Sequence, residues 1–308
     1  MSTSAFHTVL AHEGLLAVEG ADAAKFLQGQ LTCNLDYLDA AHSSLGSRCT
    51  PKGRMVSSFR ILPFGEGYLL ALAAELVATQ LADLQKYAVF SKVRLRDASA
   101  AWQRFGLQAA DEQLPLPADL IPGPEAGDTR RAGDRLAIRI SAQRVELWVP
   151  AGQPVDLGDL PQAPLETWLL GQVRAGLGQV FGATRELFIP QMINLQAVGG
   201  VSFRKGCYAG QEIVARMQYL GRLKRRMYRL ATDATVPAPG TELFSPVHTS
   251  SVGEVVLAAP AGDRCELLAV VQEDAIEDGR LFLGSADGAP LERLELPYTL
   301  DRDREIQR

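Results

Sequence analysis

Cysteine and histidine are scarce in this chain of 308 residues, which contains four of each. The four cysteines are widely spaced and include no C-x-x-C pair, so neither a disulfide framework nor a self-contained zinc site is indicated: Cys33, Cys49, Cys207 and Cys265. No histidine lies within a few residues of a cysteine. We therefore expect no permanently bound metal.

Long hydrophobic runs are also missing. The most apolar stretch, GYLLALAAELVA, is too short to cross a bilayer and contains Glu75. The first residues, MSTSAFHTVLAHEG, lack the basic region and apolar block of a secretory signal. With 47% hydrophobic and 22% charged residues, the composition is that of a folded protein long enough for two or three domains. We expect a cytoplasmic location without membrane contact.

Positive charge is concentrated in one segment. The whole chain has a net charge of −5, but residues 204 to 229 include eight basic residues and one acid, Glu212. The segment therefore carries +7 and the remainder −12. A local basic patch on an acidic body favours a discrete anionic ligand over general coating of nucleic acid, which needs a basic surface across a domain. The alternative is a basic strand whose arginines are merely solvated.

The spacing of apolar residues predicts an α+β fold. Helical spacing occurs at 21–31, 74–87 and in LETWLLGQVRAGLG, whereas MVSSFRILPF, GYLLALA and AVFSKVRLR have strand character. RLAIRISAQRVELWV alternates on both sides of a short polar turn and predicts a hairpin. We expect residues 1–223 to form one region that contains two interleaved subdomains. Pro- and Gly-rich stretches near 111–134 and 150–164 predict the junctions between these subdomains. Short strands broken by turns predict a β-barrel domain at 224–308.

One turn inside the basic segment has an unusual composition. Gly206 and Gly210 bracket a Cys-Tyr-Ala sequence that contains Cys207, and QEIVARMQY predicts a helix directly after it. Unpaired backbone N–H groups at a helix N-terminus, together with Arg204 and Lys205, favour the thiolate of this cysteine. The thiol would then be nucleophilic, redox-active or able to bind a soft metal. The alternative is a buried cysteine that acts as a small hydrophobic residue.

The string KGCYAGQE at 205–212 resembles the signature of the YgfZ family. The strings GADAAKFLQGQLT, LQKYAVFSKV, FIPQMINLQAVGGVSF and ELPYTL are also similar to the family, so the resemblance covers nearly the whole chain. YgfZ proteins bind folate, are linked to iron-sulfur cluster assembly and tRNA modification, and are related in fold to the glycine cleavage T protein. The resemblance implies T-protein-like, ferredoxin-like α+β subdomains around a central cavity, with a C-terminal β-barrel. It also implies that Cys207 is the functional residue, with Lys205 beside it in a catalytic role.

Tetrahydrofolate, with one or several glutamates, is the cofactor that the resemblance implies for the 1–223 region. It needs an apolar slot, an edge that accepts hydrogen bonds from the pterin, and cations for the glutamate tail. The residues expected to supply these contacts are Trp168, Gln191, Asn194, Tyr208, Gln211, Glu212, Arg216 and Arg226. Their sequence context also allows structural roles: a tryptophan in the core, amides that brace a loop, and a surface ion pair between Glu212 and Arg216.

Two positions depart from the T protein. Its aspartate pair, which works on the substrate amine, aligns with Ser57 and Ser58, and a hydroxyl cannot replace a carboxylate as a charged base. Where the T protein has Glu-Ala-Gly to grip the pterin, this chain has Arg174 in place of the glutamate, and a cation cannot accept a hydrogen bond. A nearby carboxylate such as Glu166 or Glu186 would have to substitute. The first departure argues against an active aminomethyltransferase.

The expected function is that of an accessory protein for iron-sulfur cluster assembly or repair, which acts on tRNA modification indirectly through iron-sulfur enzymes. Folate and iron-sulfur client or assembly proteins are the expected partners, and Cys207 is a candidate transient metal ligand. One alternative is a folate-dependent one-carbon enzyme of the aminomethyltransferase type. The other is a scaffold in which the basic run at 222–229 contacts tRNA, but that patch is small and lacks an aromatic platform for single strands. We therefore do not expect direct tRNA binding.

Overall fold

A computed structural model describes residues 4–111, 113–219 and 223–300. The strands are β1 Phe6–Val9, β2 Glu13–Glu19, β3 Ser44–Cys49, β4 Met55–Phe64, β5 Gly67–Ala73, β6 Arg94–Asp97, β7 Trp102–Gln108, β8 Thr129–Ala132, β9 Arg135–Ser141, β10 Arg144–Pro150, β11 Arg225–Thr232, β12 Glu242–Phe244, β13 Gly253–Ala261, β14 Arg264–Gln272, β15 Leu281–Leu283 and β16 Ala289–Leu294. The α-helices are α1 Ala23–Gln28, α2 Val77–Tyr87, α3 Leu165–Arg174, α4 Gln211–Tyr219 and α5 Glu273–Asp278. None of these helices is long and apolar enough to span a bilayer.

The strands form two open sheets and one closed barrel. The open sheets have the strand orders β1-β7-β10-β9-β8 and β3-β4-β5-β2-β6, and the barrel has the order β11-β14-β13-β12-β15-β16. The long antiparallel pairing of β11 with β14 runs from Arg225 opposite Gln272 to Thr232 opposite Cys265. The predicted α+β fold with a C-terminal barrel is therefore confirmed.

Two compact units divide the chain. The first consists of Met1–Gly29, Cys33–Leu45 and Phe59–Leu165. Its core includes Leu107, Val145 and Leu147, which project from β7 and β10. The predicted domain boundary at 223/224 stays a prediction.

The second unit consists of Gln30–Thr32, Gly46–Ser58 and Glu166–Arg308. The barrel supplies an apolar cluster in which Leu230, Leu267 and Val271 are fully buried. Leu267, Ala269 and Val271 alternate along β14 and all belong to this cluster, so that side of β14 faces the barrel interior. The motif turn, α3 and α4 also belong to this unit.

Several predicted elements have the expected bounds, and others are wrong. The strands β4 and β5, the hairpin β9–β10 and the helix α4 match their predicted stretches. The helix at 21–31 is shorter, since α1 spans only Ala23–Gln28, and the loop at 111–134 contains the strand β8. AVFSKVRLR is extended only from Arg94, because Ser91 N donates to Ala88 O at 2.9 Å and closes a turn directly after α2. A local turn thus replaces the first part of the predicted strand.

Candidate functional site

The glycine-bracketed turn precedes α4 and packs against residues 50–53. Gly210 has φ +83°, and a Cβ at this position would lie 2.5 Å from the carbonyl oxygen of Thr50. Gly53 has φ +71°, and a Cβ there would lie 2.8 Å from the Cβ of Ile213. Any larger residue at either position would force the two backbones apart. The two glycines therefore allow the motif turn to lie directly on this part of the chain.

Lys205 holds the motif loop from its other side. Its Nζ donates to the carbonyl oxygen of Leu31 at 2.7 Å and lies 5.1 Å from the centroid of the Tyr208 ring. The neighbouring Thr32 donates from Oγ1 to Gly200 O at 2.7 Å, and its backbone carbonyl oxygen accepts from Ser202 N at 2.9 Å. These contacts give Lys205 a positioning role. Its catalytic role stays a prediction.

Cys207 differs from the other three cysteines in exposure. It is exposed, whereas Cys33, Cys49 and Cys265 are buried, so the alternative of a buried structural cysteine is wrong for Cys207. Burial raises the pKa of the Cys49 thiol to about 12, against the opposing effects of Ser47 and Arg48. Only Cys207 therefore offers a thiol to reagents or partners.

Tyr208, the next residue, points into the protein. It is 7% exposed. Burial and the nearby Cys49 raise the pKa of its phenol, so Tyr208 stays neutral over the physiological range. Of the other motif residues, Glu212 is exposed and Gln211 is half-buried. Their predicted contacts with folate stay predictions.

Two buried amides lie on a 3-10 turn, Pro190–Ile193, and at its C-cap. Gln191 donates from Nε2 to Val214 O at 2.7 Å, and Asn194 donates from Nδ2 to Met227 O at 3.0 Å. Both residues are at most 1% exposed. Their side-chain oxygens, Oε1 and Oδ1, accept no hydrogen bond from any described residue. Because backbone carbonyls fix Gln191 Nε2 and Asn194 Nδ2, the side-chain oxygens of these two residues remain as buried acceptors for a further donor.

Tyr298 connects Asn194 to the end of α3. Its hydroxyl donates to Gly176 O at 2.7 Å and lies 3.4 Å from Asn194 Nδ2. Gly176 has φ +65°, and a Cβ there would lie 2.7 Å from the tyrosine ring. Trp168, on the same helix, is 1% exposed, in agreement with its apolar face. The sequence marked Tyr298 only as part of ELPYTL, because a single aromatic residue near the C-terminus has no periodic signal.

Arg174, which stands where the T protein has its pterin-gripping glutamate, contacts a carboxylate. Its Nη2 donates to Glu266 Oε1 at 2.8 Å, and Glu266 Oε2 also accepts from Arg229 Nη2 at 2.7 Å. Glu166 is exposed and Glu186 pairs with Arg185, and their role as substitutes for the pterin-gripping glutamate stays a prediction. Burial raises the pKa of Glu266, but the two guanidinium groups outweigh burial and hold it below its usual value. The partner is 92 residues away in sequence.

The cations of the basic segment differ in their burial and in their contacts. Arg225 forms an ion pair with Glu254, and Arg229 forms one with Glu266, so these two residues stabilise the barrel. Arg216 and Lys224 are exposed. Arg226 is half-buried, and its charge opposes the rise in the pKa of Tyr298 that burial causes. Arg222 lies outside the described residues.

The two serines that align with the aspartate pair are strand residues. Ser57 and Ser58 are 0% and 4% exposed on β4. Ser58 Oγ accepts a hydrogen bond from Val180 N at 2.8 Å. This hydroxyl therefore has a structural role. Among the described residues, no three histidine, cysteine, aspartate or glutamate side chains form a group that could hold a metal ion.

Comparison with known proteins identifies close relatives and a fold. The chain is 33% identical over 303 residues to "tRNA-modifying protein YgfZ" of Vibrio vulnificus, covering 96% of this chain and 92% of the relative. It is 34% identical over 303 residues to proteins of the same name from Photobacterium profundum, covering 94% of this chain and 90% of the relative, and Cronobacter sakazakii, covering 93% and 91%. No protein-family model matches the chain.

A solved structure has the same fold. The glycine cleavage system aminomethyltransferase T from Bartonella henselae superimposes with a TM-score of 0.69 over 96% of this chain and 86% of that protein. The sequence identity is 17%, so this likeness establishes the fold alone.

Proposed function

The chain belongs to the YgfZ family, and on that premise we propose that it is a tetrahydrofolate-binding accessory protein for iron-sulfur cluster assembly or repair. It acts on tRNA modification through the iron-sulfur enzymes that it maintains. The name of the curated relatives supports the connection to tRNA modification. The residues of the second unit support the folate and thiol parts of the proposal.

The unpaired oxygens of Gln191 and Asn194 carry the folate part. A buried acceptor without a donor destabilises a protein by about 1–3 kcal/mol, so a fold keeps such groups where a ligand or ordered water completes them. The reduced pterin ring carries several N–H donors along one edge. Two fixed, buried oxygens suit that edge, and the residues present therefore fit the group. When bound, tetrahydrofolate would supply a carrier for one-carbon units.

The remaining parts of the proposal rest on the exposed thiol of Cys207 and on the cations of the basic segment. Cys207 presents the reactive thiol, and Lys205 fixes the loop that carries it through its bond to Leu31. Arg226 and Arg216 supply positive charge for the carboxylates of the glutamate tail. The serine hydroxyl engaged by Val180 N counts against aminomethyl transfer. The ion pairs of two arginines reduce the charge available to tRNA phosphates, which counts against the scaffold alternative.

Replacing Gln191 by methionine tests the folate part. Loss of the buried acceptor should weaken tetrahydrofolate binding roughly tenfold, because a pterin donor is left unpaired. Isothermal titration calorimetry measures the affinity, and urea denaturation checks that the fold persists. Gln103→Met is the matched control, since Gln103 donates to Gln153 O at 3.0 Å in the first unit. Absence of binding by the unaltered protein at millimolar ligand would remove folate from the proposal.

Arg226→Gln tests the site of the glutamate tail. We expect the affinity for polyglutamylated folate to fall by about 1–3 kcal/mol for each lost charge-assisted contact, with little change in melting temperature. Arg225→Gln is the control, because its ion pair with Glu254 stabilises the barrel and should not affect the ligand. Competition binding with mono- and polyglutamyl folates provides the measurement. If mono- and polyglutamyl folates bind with equal affinity to both variants, the basic segment does not bind the glutamate tail. Its arginines would then either stabilise the barrel or be solvated.

A further inference from the structure

The end of α2 and the turn that follows it expose three large hydrophobic side chains. Phe90 is 99% exposed, Val89 71% and Tyr87 56%. Scattered exposed hydrophobic residues are normal on protein surfaces, but a cluster at the tip of one turn is typical of an interaction site. We call residues 87–92 the apolar turn. It belongs to the first unit, whereas the residues proposed to bind folate belong to the second.

Hydrogen bonds fix the base of the apolar turn. Lys92 N donates to Asp22 Oδ2 at 2.7 Å, and Asp22 N donates to Lys92 O at 3.4 Å. Gly20 has φ +120°, and a Cβ there would lie 2.4 Å from Lys92 O. Ser91 N closes the tip by donating to Ala88 O at 2.9 Å. A tip held in this way loses little conformational entropy when a partner binds it.

The side chains around the tip of the apolar turn carry a net positive charge. Residues 84–96 include four basic residues and no acid. Lys86 pairs with Asp83, but the lysine side chain is 71% exposed and the aspartate 24%. Arg96 pairs with Glu19 at 2.7 Å. Lys86 is therefore more exposed than the carboxylate that it pairs with, and Lys92 is exposed as well.

We propose that the apolar turn docks into a partner protein that has an apolar socket for Phe90 and Val89 and carboxylates around its rim. The identification of this partner as an iron-sulfur enzyme that modifies tRNA rests on the proposed function. Aromatic anchors in a desolvated socket dominate the affinity of many interfaces, and a surrounding charge rim sets orientation and association rate. The turn has this composition.

RNA and lipid fit the turn less well. Tyr87 and Phe90 carry rings, but two of the four cations are already paired with carboxylates, so few phosphates would be neutralised. A single turn also has a much smaller apolar surface than the amphipathic helices that bind membranes. The observations therefore favour a protein partner.

The double substitution Val89→Ser and Phe90→Ser tests the proposal. The probe is a purified iron-sulfur enzyme of tRNA modification with its cluster intact, and biolayer interferometry measures its affinity for the full-length protein. We expect the Kd to rise at least about tenfold, with melting temperature and tetrahydrofolate affinity unchanged. Lys92→Glu should lower the association rate at low salt. Val247→Ser is the matched control, because Val247 is 41% exposed and lies outside the first unit.

Each other outcome overturns the docking proposal. An unchanged Kd for the double variant would show that the enzyme binds elsewhere, while the proposed function would stand. Binding of unfractionated tRNA that is lost in the double variant would make the turn an RNA site. Flotation with anionic phosphatidylserine vesicles, lost in the same variant, would make it a membrane site. A sedimentation coefficient that falls only in the double variant would make the occupant a second copy. Failure of the unaltered protein to bind both enzyme and tetrahydrofolate would instead count against the proposed function itself.

Discussion

Replacing Cys207 by alanine is expected to abolish the function of the protein while leaving its fold intact. The side chain is exposed, so alanine removes a reactive thiol and no packing. A strain that lacks the gene, supplied with the variant, should show the same loss of iron-sulfur-dependent tRNA nucleosides as the strain without the protein. Mass spectrometry of digested tRNA measures these nucleosides, and circular dichroism with thermal melting measures the fold.

The matched control is Cys265→Ala, which should lose stability and keep function. Cys265 is 1% exposed in the barrel, and deletion of a buried side chain leaves a small cavity. Alkylation tests directly which thiols are accessible. Iodoacetamide should modify Cys207 in the folded protein and the buried cysteines only after unfolding. Retained tRNA modification in Cys207→Ala, or an unfolded variant, would contradict the role assigned to this thiol.

Local patterns predicted much of the fold. The helix α4 has its expected bounds, because the two signals that predict it, the spacing of its apolar residues and the glycine before it, are local in sequence. The strands β4 and β5 were predicted for the same reason, because each is a short, mostly apolar stretch, and the structure buries most residues of both. The stretch at 88–93 was misread as strand. Two of its apolar residues, Val89 and Phe90, face the solvent, and sequence alone does not separate an exposed apolar turn from a buried strand.

The contacts of the candidate site were harder to predict. The motif marked Lys205, but its partner Leu31 is 174 residues away in sequence, and only the folded chain brings them together. The resemblance marked Gln191 and Asn194. The structure adds that their amide nitrogens brace the backbone and that their oxygens stay available. Arg174 could be recognised as a departure, but no sequence signal indicated Glu266 as its partner.

Replacing Glu266 by alanine is expected to destabilise the second unit by about 2–3 kcal/mol near neutral pH. The carboxylate is 11% exposed and accepts hydrogen bonds from Arg174 and Arg229, so its loss leaves the guanidinium of Arg229, which is 20% exposed, without its counter-charge. Urea denaturation followed by hydrogen exchange in β11 and β14 measures the change in the barrel. Arg174→Ala is the control. Its side chain is 53% exposed, and the remaining pair stays intact, so less than about 1 kcal/mol should be lost.

The dependence on pH distinguishes this ion cluster from simple packing. The pKa of Glu266 in the folded protein lies below the ordinary value of 4.5, because the two arginines favour the charged form more than burial disfavours it. Its contribution to stability is therefore fully present above about pH 4.5 and disappears as the pH falls through the lower folded pKa. The difference in unfolding free energy between the unaltered protein and Glu266→Ala should shrink over that range. A difference that stays constant on acidification would assign the effect to lost packing, and equal losses for Glu266→Ala and Arg174→Ala would show that Arg229 does not depend on this carboxylate.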